Sequence, residues 1–226
     1  MAARGWRCIL IARREDRLRA LADELDAEYE VCDVGDRAAV ERTAAAIGSR
    51  HPAVDLLVNN AGISGRAGFL EIDPERLDAV MRVNYFGSVW TLRAFLPLLE
   101  RAGDADVVNI VSVAGTVASA RSGPYAASKH AQLAFSRAVG AELAPRGINV
   151  HTINPGLVET EGFPQRAGLR RAFVRRLVIE PEDVAQHVIR VLDRGRRETF
   201  VPAWYRAVAL AQALVPGLVA RFARRR

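Results

Sequence analysis

The sequence predicts an α/β fold built on a parallel sheet, with helices on both faces, and three observations lead there. Short apolar runs alternate with stretches of helical periodicity along most of the chain. The runs are apolar throughout rather than at every second residue, the pattern of strands buried on both faces. The 226 residues, 50% hydrophobic and 26% charged, suit one globular domain and exclude a disordered chain.

The elements follow in order. "RCILIA" (7–12) reads as a strand, and "EDRLRALADELDA" (15–27) as a helix with Leu18, Leu21 and Leu25 on one face. "YEVCDV" (29–34) is a strand and "RAAVERTAAAIGSR" (37–50) a helix. "VDLLVNN" (54–60) is a strand ending in a polar loop. Residues 73–101 read as one long helix, with Asp73 at the N-cap and Pro74 at the first helical position. "DVVNIVSV" (106–113) is a strand, 124–144 a helix, and "INVHTINPG" (148–156) a strand and turn. Residues 181–195 form a helix between Pro181 and Gly195, and "ETFVPA" (198–203) is a last strand. These make one domain over 1–202. The tail, 203–226, is apolar with basic interruptions and is broken at Pro216-Gly217. It reads either as an amphipathic helix packed on the core or a partner subunit, or as one lying on a membrane surface.

The formal net charge is +6 and the pI about 10.1. The arginines are spread over most of the chain and no nucleic-acid motif accompanies them, so no nucleic-acid partner is expected. Cys8 and Cys32 lie in apolar runs and read as buried thiols, which fits a reducing cytoplasm. "CILIA" is too short for a signal-peptide core, and no run reaches the length of a membrane span. Peripheral membrane contact through the tail is the remaining membrane reading.

Of the 32 basic residues, Lys129 is the only lysine and the other 31 are arginine. It lies four residues after Tyr125 on a predicted helix, so the two share a face. A nearby ammonium favours the phenolate, so the pair reads as a candidate general acid/base, with a Tyr/Lys pair on an exposed helix face as the alternative. A compact ammonium also reaches where a planar guanidinium does not. Ser112 ends a strand 13 residues before Tyr125. "VNNAG" (58–62) and "NPGLVET" (154–160) follow two further strands, and Asn84 lies within the long helix. Ligands of open α/β sheets bind at such strand ends.

In their order and spacing, "NNAG" (59–62), Asn84, Ser112, "YAASK" (125–129) and "NPGLVET" closely resemble the short-chain dehydrogenase/reductase family, from about residue 6 to 202. The resemblance implies a Rossmann-like doubly wound parallel sheet and hydride transfer between NAD(P) and an alcohol or carbonyl carbon, with no metal. It implies that Tyr125 is the acid/base and that Ser112 bonds the substrate oxygen. Lys129 binds the nicotinamide ribose and lowers the Tyr125 pKa, and Asn84 holds a water of the proton relay. Asn60, Ala61 and Gly62 line the adenosine side, with Asp33 near the adenine. Pro155, Gly156, Val158 and Thr160 hold the nicotinamide end. NAD enzymes place an acid at the end of the strand where this chain has Ala12, followed by Arg13. That favours NADP, with NAD as the alternative.

The family's first strand, its TGxxxGxG turn and the helix after it are not in this sequence; "MAARGW" resembles that helix's tail, with Gly5 as its C-cap. The lost turn normally holds the pyrophosphate, and the lost strand lies between 7–12 and 54–58. The expectation is a mis-assigned start codon, so that the chain as written binds cofactor weakly. The alternative is a truncated, non-catalytic binding or scaffold protein of the same fold. Phe163, Leu169, Phe173, Val174 and Leu177 after Thr160 suggest an apolar pocket for an alcohol or ketone, or packing on the sheet. The resemblance also implies a homo-oligomer formed through the helices at 73–101 and 124–144.

Overall fold

The computed structural model describes residues 1–65, 67–68, 70–166 and 175–217. In chain order the main elements are β1 (Ile9–Ala12), α1 (Glu15–Leu25), β2 (Glu28–Val31), α2 (Arg37–Arg50), β3 (Leu56–Asn59) and α3 (Pro74–Met81). A π-helical segment (Arg82–Phe86) joins α3 to α4 (Gly87–Ala102). Then come β4 (Ala105–Ile110), α5 (Gly123–Leu143), β5 (Ile148–Pro155), α6 (Pro181–Arg194), β6 (Glu198–Val201) and α7 (Tyr205–Leu214).

Every strand pair is parallel, and the strands form two sheets. β1 pairs with β2; β3, β4, β5 and β6 pair in that order. Among the described residues no ladder joins β1 to β3, the two strands that the family's first strand would separate. Val58 is 43% exposed although Leu57 and Asn59 on either side are buried. Its side chain points to the face opposite Leu57 and Asn59, and that face is left uncovered there.

Alternation along the strands builds two cores. Leu57, Val107 and Val150 face Ile47 of α2, Leu92, Phe95 and Leu99 of α4, and Leu143 of α5. Ile9 and Ile11 of the small sheet pack on this same cluster. The opposite residues, Val108, Ile153 and Val201, face Val191 of α6.

The helix boundaries have local causes. Asp36 caps α2, accepting from the Ala38 N–H at 2.9 Å, and Asp73 caps α3 through the Glu75 N–H at 3.0 Å. α1 ends two residues before the predicted limit because Asp26 turns left-handed, at φ 50°. The predicted helix over 73–101 is not uniform. It widens at Arg82–Phe86, where the π segment carries Asn84 inward to full burial. Such widened turns recur at functional sites.

Candidate active site

One face of α5 carries Tyr125, Lys129, Gln132 and Ser136, spaced four, three and four residues apart; the last three are buried. This face lies against the ends of β4 and β5. The Lys129 ammonium donates to the Ile110 carbonyl, the last residue of β4, at 3.0 Å, and to Gln132 Oε1 at 2.7 Å. Its Nζ stands 6.0 Å from the centroid of the Tyr125 ring. Lys129 is 3% exposed, and burial pushes its pKa down to about 7.

Ser112 lies just past β4. Its Oγ accepts from the Ala114 N–H at 3.1 Å, opening the short turn Val113–Gly115, and donates to the Pro155 carbonyl at 3.5 Å. The hydroxyl therefore ties the end of β4 to the end of β5. The turn passes so close to α5 that a Cβ on Gly115 would fall 2.9 Å from the Lys129 carbonyl oxygen. Only glycine lets Ser112 and the lysine-bearing helix approach this closely.

Asn84 organises the loop after β3. Its Oδ1 accepts from the Ile63 N–H at 2.8 Å, and its Nδ2 donates to the Ile63 carbonyl at 3.1 Å and to Ser128 Oγ at 3.0 Å. Ser128 Oγ in turn donates to the Tyr125 carbonyl at 2.8 Å. The amide thus joins the "NNAG" loop to the turn of α5 that bears the tyrosine. Gly62 sits beside both groups: a Cβ there would lie 3.5 Å from Asn84 Oδ1 and 3.9 Å from Lys129 Nζ. Asn60, Ala61 and Gly62 are exposed at the strand ends. Beneath them runs a buried polar ladder. Asn59 donates to Asn109 at 2.9 Å, Asn109 to Ser136 at 2.8 Å, and Ser136 meets Thr152 at 2.6 Å.

At the ends of β1 and β2, Arg13 and Asp33 form an ion pair at 3.5 Å. Asp33 also accepts from the Gly35 N–H at 2.8 Å. Arg17 and Arg14 of the same region pair with Glu161, from the segment after β5. That segment begins at Pro155-Gly156. Val158 bridges Ile179, Thr160 Oγ1 accepts from the Phe163 N–H at 3.1 Å, and the Phe163 ring lies 5.6 Å from that of Tyr125. Gly156 lies under the ring of Tyr205, the first residue of α7 and 8% exposed. Of the predicted pocket residues, Phe163 reaches Tyr125, while Leu169, Phe173 and Val174 lie outside the described residues.

The donor set fits a dinucleotide at its two ends. An ammonium opens beside a glycine at the ends of β3 and β4, and arginines with an aspartate stand at the ends of β1 and β2. Between them, the described residues contain no glycine-rich turn leading into a helix, so the bridging phosphates have no such cradle here. Gln132, Ser88, Asn109, Ser136 and Tyr205 were not among the predicted site residues. The polar stripe continuing from Tyr125 through Ser136 carried a signal for Gln132 and Ser136; Tyr205 had none.

A family model described as short chain dehydrogenase matches residues 1–167. A Streptomyces coelicolor protein named as a ketoacyl reductase is 34% identical over 200 residues, which cover 85% of this chain and 75% of that one. The crystal structure of a short-chain dehydrogenase from Streptomyces avermitilis is 34% identical with a TM-score of 0.67. It covers 72% of this chain, which spans only 61% of that one. An alcohol dehydrogenase from the archaeon Thermococcus sibiricus, complexed with 5-hydroxy-NADP, is 26% identical with a TM-score of 0.77, covering 88% and 86%.

Proposed function

We propose that this chain, which belongs to the short chain dehydrogenase family of oxidoreductases, transfers a hydride between NADP(H) and the carbonyl or alcohol carbon of an apolar substrate. The observation that carries the reading is the buried Lys129 ammonium on the Tyr125 face of α5, at the strand end where Ser112 is fixed.

When bound, the nicotinamide cofactor supplies or takes up the hydride. Tyr125 gives its phenolic proton to the carbonyl oxygen in reduction and takes it back in oxidation. Ser112 holds that oxygen by a hydrogen bond. Lys129, while charged, favours the phenolate and so makes Tyr125 a better acid. Its remaining ammonium hydrogen is directed to the ribose. Asn84 acts here through the loop that it holds at Ile63, and a water relay at this residue stays part of the reading. Asn60, Ala61, Gly62 and Asp33 line the adenosine side; Pro155, Gly156, Val158 and Thr160 line the nicotinamide end. Arg13 faces the 2′-phosphate of NADP. Support for NADP over NAD is the arginine set at the end of β1, with Ala12 where an acid would stand.

Phe163 against Tyr125 supports an apolar alcohol or ketone as substrate. Leu77 and Phe86 are exposed along α3 and the π segment, with Phe86 stacked on Trp90 at 5.3 Å; these support a homo-oligomer through this face. On α7, Leu210 and Leu214 are exposed and suit either a partner subunit or a membrane surface. Among the described residues no helix is long and apolar enough to cross a membrane.

The test is NADPH and NADH consumption with a panel of hydrophobic ketones. The chain is assayed alone and with a strand–TGxxxGxG–helix segment joined to its N-terminus. The expected result is NADPH-dependent reduction that Tyr125→Phe abolishes without loss of fold. No consumption by either form, or full activity in Tyr125→Phe, overturns it.

A further inference from the structure

The Lys129 ammonium is buried, yet among the described residues no carboxylate pairs with it. A buried cation needs acceptors in place of water. It has two: the Ile110 carbonyl at 3.0 Å and Gln132 Oε1 at 2.7 Å, the shorter of the pair. Gln132 is itself fully buried, and its Nε2 donates to Ser88 Oγ on α4 at 2.8 Å. An amide presents an acceptor at one end and donors at the other. The ammonium, which only donates, sets the amide oxygen toward Nζ, and the Ser88 hydroxyl holds the amide's other end.

We propose that Gln132, anchored by Ser88, is a positioning residue for Lys129. It holds the ammonium at the end of β4, favours its charged form against the cost of burial and aims it at Tyr125 and the ribose. This rests on the oxidoreductase reading given above. An ammonium has three hydrogens; Ile110 and Gln132 take two. The side left open faces Gly62, where a Cβ would be 3.9 Å from Nζ, and the Tyr125 ring at 6.0 Å. The groups around Nζ are the Tyr125 phenol on α5, the Ile110 carbonyl on β4, Asn84 and Gly62 beside the loop after β3, and, through Gln132, the Ser88 hydroxyl on α4. Tyr125 alone among them titrates. The amide is therefore the main polar support that side chains give the charge.

The single lysine makes the test direct. Protein grown with 13Cε-lysine gives one lysine signal, whose pH titration reports Lys129 without any cofactor. Gln132→Glu puts a carboxylate on the ammonium and should raise the midpoint by more than about one pH unit; Gln132→Leu should lower it by about one. Ser88→Ala should lower it by less than Gln132→Leu does. If Gln132→Leu does not fold, the Glu and Ser88 variants decide. Midpoints that coincide with the parent's in the folded variants overturn the proposal. In turnover, Gln132→Leu should lower kcat and move the pH profile in the direction of the lysine midpoint. A Tyr125→Phe variant that stays active would sink the oxidoreductase reading alone. Unmoved lysine midpoints would sink the role of Gln132 alone.

Discussion

The ring of Tyr205 lies directly on Gly156. A Cβ at Gly156 would fall 1.9 Å from Tyr205 Cε2 and 2.7 Å from the tyrosine hydroxyl oxygen. The tail thus begins on the Pro155-Gly156 turn expected to face the nicotinamide. Gly156→Ala should destabilise the protein by about 1–3 kcal/mol, because the new methyl overpacks the site. In a Tyr205→Ala background the same change should cost much less. Urea denaturation of the four proteins of this cycle gives the coupling; additive losses would mean that the ring has room to move aside.

Stability should depend on pH through Lys129, with a sign set by its lowered pKa. The unfolded lysine titrates near 10.5 and the folded one near 7. Below pH 7 both states hold the proton, and the fold bears the full cost of the buried charge. Between those values the unfolded chain binds a proton that the folded one does not. Stability from this group then rises with pH by about 1.4 kcal/mol per unit. Lys129→Met should remove that rise. The parent-minus-variant stability from urea midpoints at pH 6 to 9 isolates it, since the other groups titrate alike in both. A flat difference would contradict the assignment.

Cofactor choice should lie with Arg13. It pairs with Asp33 at 3.5 Å while both remain about half exposed, so the guanidinium is free to turn to a phosphate. Arg13→Glu opposes the 2′-phosphate and sets two carboxylates together. The Kd for NADPH should rise at least about tenfold more than that for NADH. Equal losses in fluorescence titration would make Arg13 a surface charge.

How much of this was legible in the sequence depended on whether the cause was local. Helix α2 runs over its predicted span, 37–50, because the apolar period lies within it and its cap, Asp36, is adjacent in sequence. The Tyr125–Lys129 pair was legible for the same reason. The π segment at Asn84 was not, since a widened turn leaves the apolar period almost unchanged. Its reason, Ile63, stands 21 residues away. Gln132 was visible as a polar residue on a helix, but its bond to Ser88 spans 44 residues and depends on how α4 packs on α5. Tyr205 read as part of a separable tail because nothing in its neighbourhood points to Gly156. The gap between β1 and β3 was foreseen from the motif order, whereas the exposure of Val58 depends on which sheet face the helices cover.

That gap carries its own prediction. A strand–TGxxxGxG–helix segment joined to the N-terminus should pair with both β1 and β3, cover Val58 and supply a helix N-terminus for the phosphates. NADPH affinity and melting temperature should rise together, since one insertion serves both. Titration and thermal melting of the two forms side by side check it. A short form that already binds and melts as well as the long one would show that the phosphates are held in another way.

In the proposed mechanism the one lysine acts on Tyr125 as a compact ammonium from a buried seat between Ile110 and Gln132. The most direct measurement is turnover of Lys129→Arg, with NADPH and the best ketone, in the form of the protein that binds cofactor. Charge is kept, but a planar guanidinium does not fit the two acceptors at 3.0 and 2.7 Å and still face Tyr125. The kcat should fall at least about a hundredfold, with the fold retained by circular dichroism. Turnover close to the parent's would contradict it.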